Sequence, residues 1–258
     1  MRWRDAFAKK TPEPASAERM AAAYDAASRG DYAAALDIWT PLAHAGIARA
    51  QNNIGACFSE GLGVERDVGL AQRWLTLAAE AGDPVGQRNL ATLYFKGEGI
   101  ERDNARAAEL YRAAAEQGDA QAQDMLSWML LEDGAGYAEA RRWAEAAAAQ
   151  GIASSMTRLG MMFHNALGVP RDAEQAVSWW RRGATRGDAD GQAMLGAAFH
   201  LGAGIERDPV AATTWLLRAR AGGSALANRF FNAARVALNP EQMAEAERRA
   251  TLPLDPAP

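Results

Sequence analysis

The chain has 258 residues, of which 49% are hydrophobic, and it carries a formal net charge of −4. This composition excludes a disordered or fibrous protein, and the negative charge gives no global attraction for nucleic acid. The single cysteine, Cys57, excludes an intrachain disulfide, and no apolar stretch is long enough to predict a transmembrane segment. We expect a cytoplasmic protein, or a periplasmic one if a signal peptide has been removed.

The first 14 residues form a basic arm ahead of the predicted helices. Trp3 and Phe7 stand four residues apart among arginines and lysines. Three alternatives stay open for this arm: an unstructured terminus, a weak peripheral contact with a membrane surface, and docking on a partner or on the chain's own groove. Residues 15–45 then predict a divergent helix pair, which is broken at Gly30-Asp31.

A seven-residue phrase recurs after this pair. It reads GLGVERD at 61–67, GEGIERD at 97–103, ALGVPRD at 166–172 and GAGIERD at 202–208. A fixed period of this size predicts a stack of helix pairs. The first glycine of the phrase suits the left-handed residue that ends one helix, and the aspartate suits the N-cap of the next. Where Ala166 replaces that glycine, we expect Asn165 to take the positive φ angle.

Each repeat ends at a glycine, and the positions of the following repeat are counted forward from that glycine. The repeats cover about 47–82, 83–118, 119–151, 152–187 and 188–223, between divergent capping pairs and before a proline-rich tail at 251–258. Position 8 of the first helix, helix A, is always Ile or Leu and predicts core, and position 9 is always small. On the second helix, helix B, we expect the core side chains to be Trp74, Leu110, Trp143, Trp179 and Trp215.

The third repeat, 119–151, is three residues short and lacks the phrase. Residues 132–137 replace it, without an aspartate cap in register. We expect this irregularity to alter the angle between neighbouring repeats and to shape the main binding site beside Trp128.

These residues resemble the Sel-1-like repeat family, which is related to the tetratricopeptide repeats. The pattern A-x-A-Q-x-x-L-G-x-x-Y-x-x-G-x-G-V-x-x-D-x-x-x-A-x-x-W-x-x-x-A-A-E-x-G is met nearly in full by residues 48–82 and closely by 84–118. The resemblance implies an all-α fold, a right-handed α/α solenoid of about seven helix pairs that forms one TPR-like superhelix over residues 15–250. It also implies a bacterial adaptor for other proteins, with no shared catalytic residues.

Positions 6, 10 and 13 of helix A point away from the predicted core, and in curved solenoids they line the concave surface. We therefore predict a non-catalytic scaffold that binds a peptide or protein on that surface. The predicted contact residues are Asn52, Arg88, Phe95, Asp124, Trp128, Leu131, Met161, His164 and His200. The apolar members among them are typical of a surface that accepts a partner's apolar side chains.

The alternative is an enzyme or a small-molecule binder that uses the groove near Trp128 and His164. The sequence predicts no catalytic constellation, cofactor or metal site: the glycine-rich loops follow helices and lack a phosphate-binding lysine, and His164 and His200 have no third ligand at suitable spacing. The identity of the partner and the oligomeric state stay open.

Overall fold

The computed structural model describes residues 14–134 and 136–254. The expectations for Trp3, Phe7 and the last four residues lie outside these ranges. Within them the fold is all-α, with fourteen helices in seven successive pairs, which confirms the predicted α/α solenoid class. None of the described helices combines the length and the hydropathy that crossing a bilayer requires.

The chain divides into two compact units, Met1–Asp119 and Ala120–Pro258. The helices described in the first unit are α1 (Pro14–Ser28), α2 (Tyr32–His44), α3 (Ala48–Glu60), α4 (Val68–Glu80), α5 (Pro84–Lys96) and α6 (Asn104–Glu116). Those of the second unit are α7 (Ala120–Glu132), α8 (Tyr137–Ala149), α9 (Ala153–Asn165), α10 (Ala173–Thr185), α11 (Ala189–Leu201), α12 (Pro209–Ala221), α13 (Ala227–Val236) and α14 (Pro240–Thr251). In both units each odd-numbered helix up to α11 packs against the next helix, and α12 also contacts α13 and α14.

The short third repeat loses its three residues from the turn. All helices from α3 to α12 have 13 residues, including α7 and α8 of the short repeat. Residues 133–136 connect α7 to α8, whereas seven residues connect the two helices of each other repeat. The N-cap of α8 is Gly136, which makes no side-chain capping bond, as the missing aspartate predicts.

The aspartate of the repeated phrase joins the two helices of a repeat. Asp67 accepts a hydrogen bond from the Leu70 amide at the start of α4, and its own amide donates to the Phe58 carbonyl of α3. The same pair of bonds occurs at Asp103, Asp172 and Asp208. The predicted N-caps are therefore confirmed. The amide of each aspartate also ties the end of the phrase to helix A of the same repeat.

The expectation for Asn165 is wrong. Asn165 is the last residue of α9, and Ala166 takes the left-handed conformation itself, with φ 58° and ψ 39°. Its amide still donates to the Met162 carbonyl, as the amide of Gly202 does to the Ala198 carbonyl one repeat later. The position of this hydrogen bond, and not the preference of asparagine, therefore decides which residue takes the positive φ angle. Ala166 takes it and is strained.

The small residue at position 9 receives a large side chain from helix B. A Cβ atom on Gly55, Gly160 or Gly196 would lie within 3 Å of the side chain of Leu75, Trp180 or Leu216 respectively. These three side chains are buried, and position 8 is buried in every repeat. The predicted close approach of the helices is therefore confirmed, and it occurs inside each pair.

The expected row of core tryptophans lies mostly at the edge of the core. Trp74, Trp179 and Trp215 are half-buried, and the residue after each is the buried one; Trp143 is buried in its own right. Arginine guanidinium groups lie over the Trp179 and Trp215 rings, at 4.1 and 5.7 Å from the ring centroids. These rings pack against core side chains, and stacked cations also cover part of their surface.

Exchanging alanine and glycine at equivalent turns tests the strain at Ala166. Ala166→Gly removes the steric penalty of a left-handed alanine and should raise the free energy of unfolding by about 0.5–1 kcal/mol. Gly202→Ala, at φ 69° and with no heavy atom closer than 3.6 Å to the added Cβ, should lower it by a similar amount. Thermal unfolding followed by circular dichroism measures both changes, and shifts of the same sign would contradict this account.

Gly160 tests the close approach of the helices. Gly160→Ala places a Cβ 2.4 Å from the Trp180 ring and should cost about 1–2 kcal/mol, even though alanine favours helix by about 1 kcal/mol. Gly69→Ala in α4 is the control, because its Cβ would meet only the Asp67 carboxylate, at 3.3 Å. This control should keep or raise the unfolding midpoint, and an unchanged midpoint for Gly160→Ala would refute the packing argument.

Candidate functional site

In the first unit the open face of the A helices forms a polar cavity. It has a volume of about 500 Å³. Its lining consists of Ala56, Ser59, Glu60, Arg66, Asn89, Thr92, Leu93, Lys96 and Glu98. Charges of both signs are therefore mixed along its wall, and only two lining residues are aliphatic.

The predicted contact residues of the first unit make contacts within the unit. Asn52 is only 3% exposed and accepts a hydrogen bond from the Asn89 side chain at 2.8 Å. Arg88 pairs with Asp119 at 3.4 Å, and Arg102 lies over the Phe95 ring at 5.3 Å. None of the three predicted residues, Asn52, Arg88 and Phe95, belongs to the lining of the polar cavity.

In the second unit the same face is apolar. Two adjoining cavities, of about 370 and 200 Å³, share Met194 and Leu226. The larger is lined by Trp128, Leu131, Glu132, Ser154, Thr157, Arg158, Met161, Met162, Leu167, Asp188, Asp190, Met194 and Leu226. The smaller is lined by His164, Trp180, Met194, Ala197, Ala198, Leu201, Ala203, Leu226, Arg229 and Phe230. We call the two cavities together the apolar groove.

The apolar groove brings several predicted residues together. Trp128, Leu131 and Met161 line the larger cavity, and His164 lines the smaller one. Met161 is 38% exposed and Leu201, at the far end, is 63% exposed. Both are large apolar side chains open to solvent within one groove.

Sequence reasoning missed the contribution of α13. Leu226, Arg229 and Phe230 line the smaller cavity, and they belong to the last, divergent helix pair. Counting on from Gly223 places them at positions 3, 6 and 7 of a sixth repeat. The count that identified the face in the other repeats, at positions 6, 10 and 13, could therefore have found Arg229 but not Leu226 or Phe230.

Asp124 holds α7 and α9 together beside the apolar groove. Its carboxylate accepts hydrogen bonds from Ser154, at 3.0 Å, and from Ser155, and it pairs with Arg158. Both charged side chains are largely buried, at 16% and 12% exposure. Because the pair is enclosed and hydrogen-bonded, its geometry is well defined, and removing one partner alone would leave a buried charge.

Two more polar contacts join successive repeats of the second unit. Thr157 of α9 donates to the Asp188 carboxylate at 2.6 Å, and Asp188 also caps α11. Ser224 donates to Asp190 of α11 at 2.6 Å. With the Asp124 cluster, these bonds fix the spacing of the helices that frame the apolar groove, so its shape is preformed.

The two predicted histidines have different surroundings. The His164 ring packs on Trp180, with 5.4 Å between ring centroids. His200 is half-buried and is not among the lining residues of the apolar groove. Throughout the part of the chain that the structure describes, no three His, Cys, Asp or Glu side chains come together as they would around a metal ion.

Cys57 lies on α3 in the core of the first unit. Its side chain is 2% exposed, and burial raises the pKa of the thiol to about 11. The thiol is therefore protonated at neutral pH and is a poor nucleophile.

Comparison with known proteins agrees with this architecture. The Sel1 repeat family matches five consecutive segments, 48–83, 84–119, 120–152, 153–188 and 189–224, which together make up more than half of the chain. No protein among those with curated descriptions matches the sequence.

Solved structures also resemble the chain. A protective antigen of uropathogenic Escherichia coli strains, which displays an SLR fold, is 30% identical over 91% of this chain, with a TM-score of 0.86. The chain spans 52% of that antigen. A Sel1 repeat protein from Oxalobacter formigenes is 28% identical over 91% of this chain and 97% of its own length, with a TM-score of 0.80.

The third structure supports the fold alone. An immunity protein of Pseudomonas aeruginosa is 16% identical over 94% of this chain and 87% of its own, with a TM-score of 0.51. With five consecutive repeats matched and an antigen of the same repeat fold at 30% identity, the chain belongs to the Sel1 repeat family.

Proposed function

We propose that this protein is a non-catalytic scaffold that binds a peptide or protein segment in the apolar groove of its second unit. Sel1 repeat proteins generally serve as scaffolds for protein interactions. The observation that carries the proposal is the groove itself: two adjoining cavities lined by methionine, leucine and aromatic side chains, on the face of the A helices that the repeat leaves free.

Alanines of α11 make the smaller cavity deep. Ala197 and Ala198 are buried on its floor, while Met194 and Leu226 stand where it joins the larger cavity. A volume of about 200 Å³ suits one or two apolar side chains of a partner. Side chains that fill such a cavity anchor a protein interface, because they are fully desolvated there.

Methionine supplies three of the residues that line the larger cavity. Met161, Met162 and Met194 all line it, beside Trp128 and Leu131. Methionine side chains are unbranched and polarisable, so they adjust to apolar partners of different shapes. The polar groups of this cavity include Asp188 and Asp190, which already accept hydrogen bonds from neighbouring helices. This arrangement favours binding through apolar contact over chemistry on a bound substrate.

The polar cavity of the first unit is less suited to this role. Its wall carries Glu60, Arg66, Lys96 and Glu98, all of which are exposed to solvent. An exposed surface of mixed charge contributes little binding energy per contact. We therefore assign the proposed binding to the second unit.

Two equivalent alanines allow a matched test. Ala197 and Ala56 both occupy position 10 of helix A, one in the apolar groove and one in the polar cavity. Ala197→Leu should fill the smaller cavity from its floor and reduce partner binding about tenfold or more, whereas Ala56→Leu should leave binding unchanged. Both cavities have room for the added side chain, so both variants should fold.

The measurement is quantitative capture from an extract of the native cell, with wild type and both variants immobilised at equal density. Mass spectrometry identifies any protein retained by wild type and by Ala56→Leu but lost with Ala197→Leu. The dissociation constant of that purified protein for each variant then gives the effect directly. Equal binding by all three proteins would refute the assignment to the apolar groove.

A further inference from the structure

The two cavities of the apolar groove differ in charge. Glu132, Asp188 and Asp190 line the larger cavity. The arginine there, Arg158, is paired with Asp124, so it does not offset them. The larger cavity therefore presents a net negative wall to whatever occupies it.

The smaller cavity has the opposite charge. Among the described residues, its lining contains Arg229 and no Asp, Glu or Lys. Arg229 is exposed, and it takes part in none of the ion pairs or side-chain hydrogen bonds that the structure places among residues 14–134 and 136–254. Its guanidinium group is free to pair with a carboxylate of a bound partner.

From this charge separation we infer that the apolar groove binds an extended peptide segment with a fixed order of chemistry. Basic side chains lie at the Asp188 and Asp190 end, apolar side chains cover Met194 and Leu226, and an acidic group meets Arg229. The inference rests on the proposed function and adds the chemical class of the partner. Complementary charges of this kind set the register and orientation of a partner more than its total affinity.

The length of the segment follows from α11, which forms the floor. Asp190, Met194, Ala197 and Leu201 recur at i, i+4, i+7 and i+11 and therefore share one face of the helix. At 1.5 Å per residue this stripe is about 16 Å long. An extended chain advances about 3.3 Å per residue, so about five residues of the partner fit along this stripe.

Arg229→Glu tests the order of charges. Glutamate is tolerated near the start of a helix, and Arg229 lies in the first turn of α13, so the variant should keep its fold. Arg235→Glu is the control, because Arg235 is an exposed residue of the same helix that does not line the groove. Circular dichroism should show the same unfolding midpoint for both variants within a few degrees.

The probe is a phage-displayed library of random heptapeptides, selected on immobilised wild type, Arg229→Glu, Arg235→Glu and Ala197→Leu. Wild type and Arg235→Glu should enrich peptides with basic residues at one end, apolar residues in the middle and an acidic residue at the other end. Arg229→Glu should lose the acidic preference and bind the synthetic wild-type-selected peptide about five- to tenfold more weakly. Ala197→Leu should lose enrichment altogether.

The outcomes separate this inference from the proposed function. The inference would be overturned if the selected peptides depend on Ala197 but show no order of charges. It would also be overturned if the order of charges persists in peptides selected on Arg229→Glu. Both results would leave the proposed binding in the apolar groove intact. Peptides enriched equally on wild type and Ala197→Leu, or no enrichment on any of the proteins, would overturn both. A concentration-dependent dimer in analytical ultracentrifugation that Ala197→Leu abolishes would show that a second copy occupies the groove, and would also overturn the inference.

Discussion

The close approach of the two helices in each repeat determines the rest of the architecture. Where position 9 is glycine, its hydrogen atom makes room for a large side chain from helix B, as Gly160 does for Trp180. Glycine inside a helix costs about 1 kcal/mol relative to alanine. Burying a side chain the size of tryptophan or leucine returns about 2–3 kcal/mol, so the exchange is favourable in each repeat.

This packing decides which face of helix A stays open. Successive helical residues turn by 100°, so positions 8 and 12 lie on one side of position 9, and positions 6, 10 and 13 lie on the other. The first side carries the residues that are buried in every repeat, such as Leu159 and Leu195. On the other side, position 6 contacts neighbouring helices, as Asp124 does, and in the second unit residues at positions 10 and 13, such as Trp128 and His164, line the apolar groove.

Much of the fold could be predicted from the sequence because each structural requirement recurs in several repeats. The four aspartate caps, the left-handed glycines and the core at position 8 each recur, so a single irregular residue cannot obscure them. Features that occur in only one repeat were harder to predict. Asn165 was expected at positive φ from its own preference, whereas the hydrogen bond from the next residue to the Met162 carbonyl decides where the helix ends.

The tryptophan row shows a different limit of sequence reasoning. Trp179 and Trp180 are adjacent, and a side chain's size alone does not say which of two neighbours, 100° apart on the helix, faces the partner helix. The position of the glycine on the other helix decides this, because only Trp180 has space opposite it. Tertiary contacts such as that of Asp124 with Ser154, Ser155 and Arg158 depend on how successive repeats stack, which periodicity does not give.

The residues that hold the repeats together differ from those that line the cavities. This explains how the two units can have the same repeat pattern and yet surfaces of different chemistry. Position 10 is alanine at 56, threonine at 92, tryptophan at 128, methionine at 161 and alanine at 197, while the helices around it keep the same length. All five of these residues line the polar cavity or the apolar groove. The chemistry of the groove can therefore change without disturbing the stack, and relatives can share the backbone while differing at most positions.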